Sequence, residues 1–344
     1  MRVHRILPIL FAALLCAAAV GRAQPNAGYK VVQKVLLGGE GGWDYLLVDA
    51  AARRLYVTRG THVSVFDADT LKPVGEIENT AGVHGVALAP ELGRGYVSNG
   101  RASSITIFDL KTLKTLEEVK STGENPDAIL YDPASTRVFA FNGRSANATV
   151  LDAASGKVLA TVALGGKPEF ATSDQEGRVY ANLEDRSELV AIDSRKAEVL
   201  KHWPLAPCEE PTGMAIDRAH KRLFIGCGNR LMVVVNAATG NIVASVPIGA
   251  GVDATGFDPD TALAFSSNGE GTLTVVREDA PDKFSVVENV ATQRGARTMA
   301  LDEKTHRVFL VTAEFGPAPE ATAGQPRPRP PILPGTFTLL VVGR

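Results

Sequence analysis

Seven residues recur along this 344-residue chain about every 42 positions: Asp44, His84, Asp127, Glu169, Thr212, Asp253 and Arg297. Four carboxylates, an imidazole and a guanidinium can do three kinds of chemistry if the chain brings them together. Oxygen donors with an imidazole suit Ca²⁺ or a divalent transition ion, and Asp44, His84 and Asp127 are the candidate ligands. His84 or Glu169 can act as a general base, with Arg297 stabilising an oxyanion. The third possibility is a solvated polar ring in which Arg297 and Arg59 pair the acids. A second recurring position adds Arg59, Asn99, Asn142 and Asn268 to the ligand-binding candidates, with Asn182, Cys227 and Thr312 in the equivalent places. No HExxH, P-loop, G-x-S-x-G or CxxCH segment occurs, so the site must be assembled from distant stretches of chain.

The elements that would position these residues come from a repeat. Segments such as GWDYLLVDAAARRLYVT (from Gly42), PDAILYDPASTRVFAFN (from Pro126) and VDATGFDPDTALAFSSN (from Val252) belong to seven similar units. Each unit reads as four short strands rich in β-branched residues, separated by turns such as DAASGK and NAATGN. A 3.6-residue apolar period is lacking, which excludes a helical solenoid. The fold class is therefore all-β: a seven-bladed β-propeller with four-stranded antiparallel blades. The last unit lacks a fourth strand, and Tyr29–Leu37 before the first unit supplies it, closing the ring and removing a free sheet edge. Strands one and two are antiparallel, so the start of one and the end of the other share an edge. Both recurring positions thus fall at one mouth of the central channel.

Other repeated acids are turn residues. Asp49, Asp132, Asp174, Asp217, Asp258 and Asp302 follow strand one, and Asp67, Asp109, Asp152, Asp193 and Asn236 follow strand three. Asp and Asn suit these places because their side chains bond nearby backbone N–H groups.

RLYVTRG (54–60), RGYVSNG (94–100) and the TG-K turns resemble the YVTN-repeat β-propellers, including the YncE-like exported proteins, over essentially all of the chain after residue 23. That family is functionally broad, so the resemblance implies the fold and little about activity. The leading expectation is a binding or scaffold protein that presents an acidic funnel to a small molecule, a metal ion or a protein. Seven-bladed lactonase and muconate-cyclase propellers are similar in architecture. They imply the alternative, a hydrolase or cyclase using His84, Glu169 and Arg297. Quinoprotein dehydrogenases are less similar, since Trp43 and Trp203 do not reproduce their tryptophan-rich motifs.

Residues 1–23 read as a secretory signal: Arg2 and Arg5, then an apolar stretch, then Gly21-Arg22-Ala23. Leu14 and Leu15 before Cys16 argue against a lipoprotein signal. Removing Arg2, Arg5 and Arg22 from a chain of net charge −2 leaves −5, a poor basis for nucleic-acid binding. The expected protein is periplasmic or secreted, monomeric and without a membrane span. Cys208 and Cys227 remain as an even pair at one blade edge and are expected to form a disulfide; thiolate metal binding is the rival. Residues 315–335 are too proline-rich for a strand. They are expected to lie beside the mouth as a semi-rigid flap carrying Arg327 and Arg329, with a disordered tether as the rival.

Overall fold

A computed structural model describes residues 27–39, 41–319 and 330–344. The expected signal, Cys16, Arg327 and Arg329 lie outside these residues. Seven four-stranded antiparallel sheets follow one another around a ring. The inner strands are Leu46–Asp49, Val83–Ala89, Pro126–Asp132, Pro168–Ser173, Pro211–Asp217, Val252–Asp258 and Met299–Asp302. They belong to blades one to seven in that order.

In blade seven the order from inside to outside is Met299–Asp302, Arg307–Thr312, Thr338–Gly343 and Lys30–Leu36. The N-terminal strand pairs from Lys30 opposite Gly343 to Leu36 opposite Thr338, so the first and last described strands meet in the last blade. This closure removes two sheet edges that would otherwise offer unpaired N–H and C=O groups.

Burial explains the strand compositions. Strands two and three are covered by neighbouring blades on both faces, as in the continuously buried Arg222–Cys227, and they are built from Val, Ile, Leu and Phe. Outer strands such as Thr115–Lys120 face water and carry Glu and Lys. The core lies between blades. Phe139 and Phe141 of blade three pack with Val179 and Ala181 of blade four, and Leu55 and Val57 of blade one pack with Phe309 and Val311 of blade seven. Each fully buried Phe contributes roughly 1.5–3 kcal/mol.

Polar side chains of strand two also join blades. Tyr96 Oη donates to the carbonyl of Ala153 at 2.5 Å, Tyr180 Oη to Ala237 at 2.9 Å, and Arg137 Nη1 to Ser194 at 3.0 Å. A phenol or guanidinium there reaches the turn after strand three of the next blade. That contact is a physical reason for the Tyr of Gly-Tyr-Val at 95–97 and of Val-Tyr-Ala at 179–181.

Candidate functional site

The recurring residues at the channel mouth sit where strand one peels away from strand two. Val83 faces Asn99 and pairing resumes at Val86 opposite Val97, leaving His84 and Gly85 outside the ladder. Asp127 lies in the gap between Pro126 and Ile129, Glu169 between Pro168 and Ala171, and Asp253 between Val252 and Ala254. Freed from the pleat, these residues are tied to the preceding blade instead. Ser98 donates to the carbonyl of Asp127 at 2.5 Å, Asn182 Nδ2 to that of Thr212 at 2.7 Å, and Ser267 to that of Arg297.

Three of the residues converge. His84 Nδ1 is 2.5 Å from Asp44 Oδ2 and 3.5 Å from Asp127 Oδ1, and all three donor atoms lie within 4.8 Å of one another. Burial alone would lower the imidazole pKa, but the Asp44 hydrogen bond and the Asp127 and Asp44 charges overcome it and raise it to about 9. The Asn125 side chain also bonds the ring. Burial pushes Asp127 up to about 6; His84 opposes the rise, and the Asp44 and Asp253 charges add to it. Glu169 rises to about 8 through burial and the Asp127 charge. Lys167 Nζ, 2.6 Å from Glu169, holds back only part of that rise because it is shared with Glu184. Arg297 Nε stands 3.5 Å from Asp253. Among the described residues the mouth is thus a coupled ring of acids with three cationic groups set between them.

A cleft of about 670 Å³ opens beside His84 and Asp44, bounded by Trp43, Arg101, Glu124 and Arg144. Gly100 makes room for the imidazole: a Cβ on it would stand 2.5 Å from His84 Nε2 and displace the ring. Below the acids, Tyr45 and Phe170 pack with ring centroids 4.4 Å apart. They border a separate apolar cavity of about 460 Å³ lined by Ala128, Ala171 and Met214. The Tyr45 hydroxyl is buried without a hydrogen-bond partner, and burial with the surrounding carboxylates holds its pKa well above the ordinary value.

Several candidates do other work. Asn99 Nδ2 bonds Ser104 and Thr106, Asn142 Nδ2 bonds Asn147 and Thr149, and Asn268 Nδ2 bonds Thr272 and Thr274. All three asparagines are fully buried, so the expected place in the funnel is corrected: each ties strand two to strand three of its own blade. Arg59, 6% exposed, also leaves the ring. Its guanidinium lies 3.7 Å over the Phe337 ring and donates to the Gly38 carbonyl at 3.2 Å, anchoring the segment after the closing strand.

Cys208 and Cys227 are disulfide-bonded, with Cα atoms 5.4 Å apart. The described ends of the proline-rich insertion pair through Phe315 and Ile332, and Phe315 packs against Trp43 at the cleft.

Sequence reasoning missed Lys167, Asn125, Tyr45 and Phe170. One signal was available for the aromatics. The position just after each ring residue reads Tyr45, Gly85, Ala128, Phe170, Gly213, Ala254 and Thr298, two aromatics among small residues. At Gly213 the small residue is needed where blades meet, since a Cβ there would lie 2.6 Å from the Thr255 backbone nitrogen.

Sheet order and ring closure define the chain as a seven-bladed β-propeller. A chain in the crystal structure of the mitotic checkpoint complex shares this architecture, with a TM-score of 0.71 over 89% of this chain and 95% of that one. The two are 15% identical, a likeness of fold alone. No protein-family model and no curated protein matches the sequence.

Proposed function

We propose that the chain is an exported binding protein of the YVTN-repeat type, whose funnel captures a divalent metal ion on Asp44, His84 and Asp127. The β-propeller supports a scaffold or binding role in general. A disulfide fits an extracellular or periplasmic setting, and among the described residues no helix is long and apolar enough to cross a membrane.

The observation that carries the reading is the convergence of two carboxylate oxygens and one imidazole nitrogen within 4.8 Å. Two oxygens and a nitrogen favour a borderline transition ion over Ca²⁺. Asn125 hydrogen-bonds the ring and fixes its orientation, as a partner on a metal-bound His commonly does. An ion here would replace the imidazolium proton as the charge between the acids, so binding releases a proton.

Calorimetric titration of EDTA-treated protein with Zn²⁺ or Mn²⁺ tests this. Saturable binding at the mouth should disappear in Asp44→Asn and His84→Asn variants that keep their fold. Unchanged binding in both variants would remove the funnel from consideration.

One observation favours a catalytic second reading, a hydrolase or cyclase. The 2.5 Å Asp44–His84 contact orients an imidazole beside a cleft bounded by Arg101 and Arg144, which suit an anionic substrate. With its pKa near 9, His84 would donate a proton at neutral pH rather than accept one. Glu169 and Arg297, engaged by Lys167 and Asp253, would be supporting charges. Lactone turnover abolished by His84→Ala would establish this reading in place of the first.

A further inference from the structure

On the ring edge opposite the funnel, the aspartate that ends strand one repeatedly reaches across to the next blade. Asp302 of blade seven accepts from Arg53 of blade one at 2.9 and 2.7 Å. Asp258 of blade six lies 2.8 Å from His306 of blade seven, and Asp132 of blade three accepts from Ser173 of blade four at 2.5 Å. At each of these boundaries a carboxylate meets a donor.

The boundary between blades five and six is different. Asp217, ending strand one of blade five, meets Glu278 of blade six, so acid faces acid across it. Both side chains are only 3% exposed. Neither Glu278 oxygen accepts a hydrogen bond of proper geometry. Between them stands His220, half exposed, with Nδ1 2.6 Å from Asp217 Oδ2 and 3.2 Å from Glu278 Oε1. Arg222 adjoins the cluster, but its guanidinium is held by Asp282 at 2.7 Å. Two buried carboxylates that face one another are costly unless something neutralises them.

We infer that Asp217, His220 and Glu278 form a second divalent transition-metal site, which clamps blade five to blade six. The three donor atoms lie within 4.8 Å of one another. Their spacing approaches that around an ion with ligands at about 2.0–2.2 Å, where neighbouring donors stand about 3–3.5 Å apart. Exposure of His220 leaves a way in for the ion and room for a water on it. The site is independent of the funnel, being built from another chain segment at the other end of the channel.

The test uses full-length, EDTA-stripped protein carrying Asp44→Asn, His84→Asn and Asp127→Asn, so that no funnel ligand remains, and Co²⁺ as the probe. One equivalent of Co²⁺ should bind, with visible absorption bands and a rise in Tm. Adding Glu278→Gln should remove that equivalent. Adding His220→Asn instead, at a half-exposed position with little bearing on folding, should do the same. The inference is overturned if the funnel-silenced protein binds no Co²⁺, or if both added variants keep the full equivalent. If the unsubstituted protein also binds only one equivalent, and Glu278→Gln alone removes it, the funnel reading is refuted and the clamp stands.

Discussion

The two edges of the ring use the same residue type at the same spacing for different ends. Opposite the funnel, Asp49 accepts from the backbone N–H of Ala51 and Ala52, Asp132 from Ser135, Asp174 from Glu176, Gly177 and Arg178, and Asp302 from Lys304. Each finds a donor within three or four residues of chain, and Asp132 and Asp302 take a further one from the next blade. At the funnel, Asp44 and Asp127 share one imidazole, and Glu169 shares Lys167 with Glu184. An acid served by its own turn stabilises the blade. An acid that must share its cationic partner with another acid crowds its neighbours and is available to a ligand.

The comparison can be broken first at the structural edge. Asp302 is fully buried and holds Arg53, Thr305 and the Lys304 N–H. Asp302→Ala leaves a mostly buried guanidinium with only the exposed Asp69, so a loss of about 3–5 kcal/mol is expected in urea unfolding. A loss below about 1 kcal/mol would mean that the closing boundary does not depend on this latch. Replacing both Cys208 and Cys227 by serine should cost about 3 kcal/mol on the chain-entropy model, for a sequence separation of 19. The same denaturation curves check it, with metal affinity at the funnel unchanged.

A smaller effect separates blade architecture from site. Asn142 donates to Asn147 and Thr149 and accepts from Ser121. Asn142→Ala should cost about 1–3 kcal/mol by leaving buried groups unpaired, while calorimetric metal binding stays within twofold. A large loss of binding with stability intact would put this asparagine back in the funnel.

What the sequence disclosed follows the range of the interactions. The repeat, the closing strand and the turn aspartates depend on local hydrogen bonding and strand alternation, which repeat with the chain. Asn99 escaped because alternation separates two faces without saying which one looks into the channel. In fact its neighbour Ser98 turns to the next blade, while Asn99 stays within its own. Lys167 was overlooked because it stands outside strand one, and a long flexible side chain brings its ammonium to Glu169. Glu278 stands at the repeat position of Ala153, Ser194 and Ala237, where the backbone N–H bonds the turn between strands one and two of its own blade. The register was legible, but nothing local marked the carboxylate at that position as facing Asp217 of the neighbouring blade.

The funnel acids should reveal themselves through pH. Three groups there have folded-state pKa values above their ordinary ones: Asp127 at about 6 against 3.8, Glu169 at about 8 against 4.5, and His84 at about 9 against 6.5. A raised pKa means that the folded protein binds the proton more tightly than the unfolded chain, so stability falls with rising pH between the two values. For Glu169 the contribution is complete below about 4.5 and is lost as pH climbs through about 8; for His84 the window runs from about 6.5 to about 9. Metal-free protein should therefore lose stability from mildly acidic to mildly alkaline pH, opposite to what acids served by local donors produce. Glu169→Gln removes one titration and one negative charge while Lys167 retains Glu184. It should flatten that slope between pH 4.5 and 8 and stabilise the metal-free protein at pH 8 by on the order of 1 kcal/mol. Urea midpoints at pH 5 and pH 8 read the difference directly. An unchanged slope would mean that Glu169 is already neutralised by Lys167, and that the funnel resembles the opposite edge more than its geometry suggests.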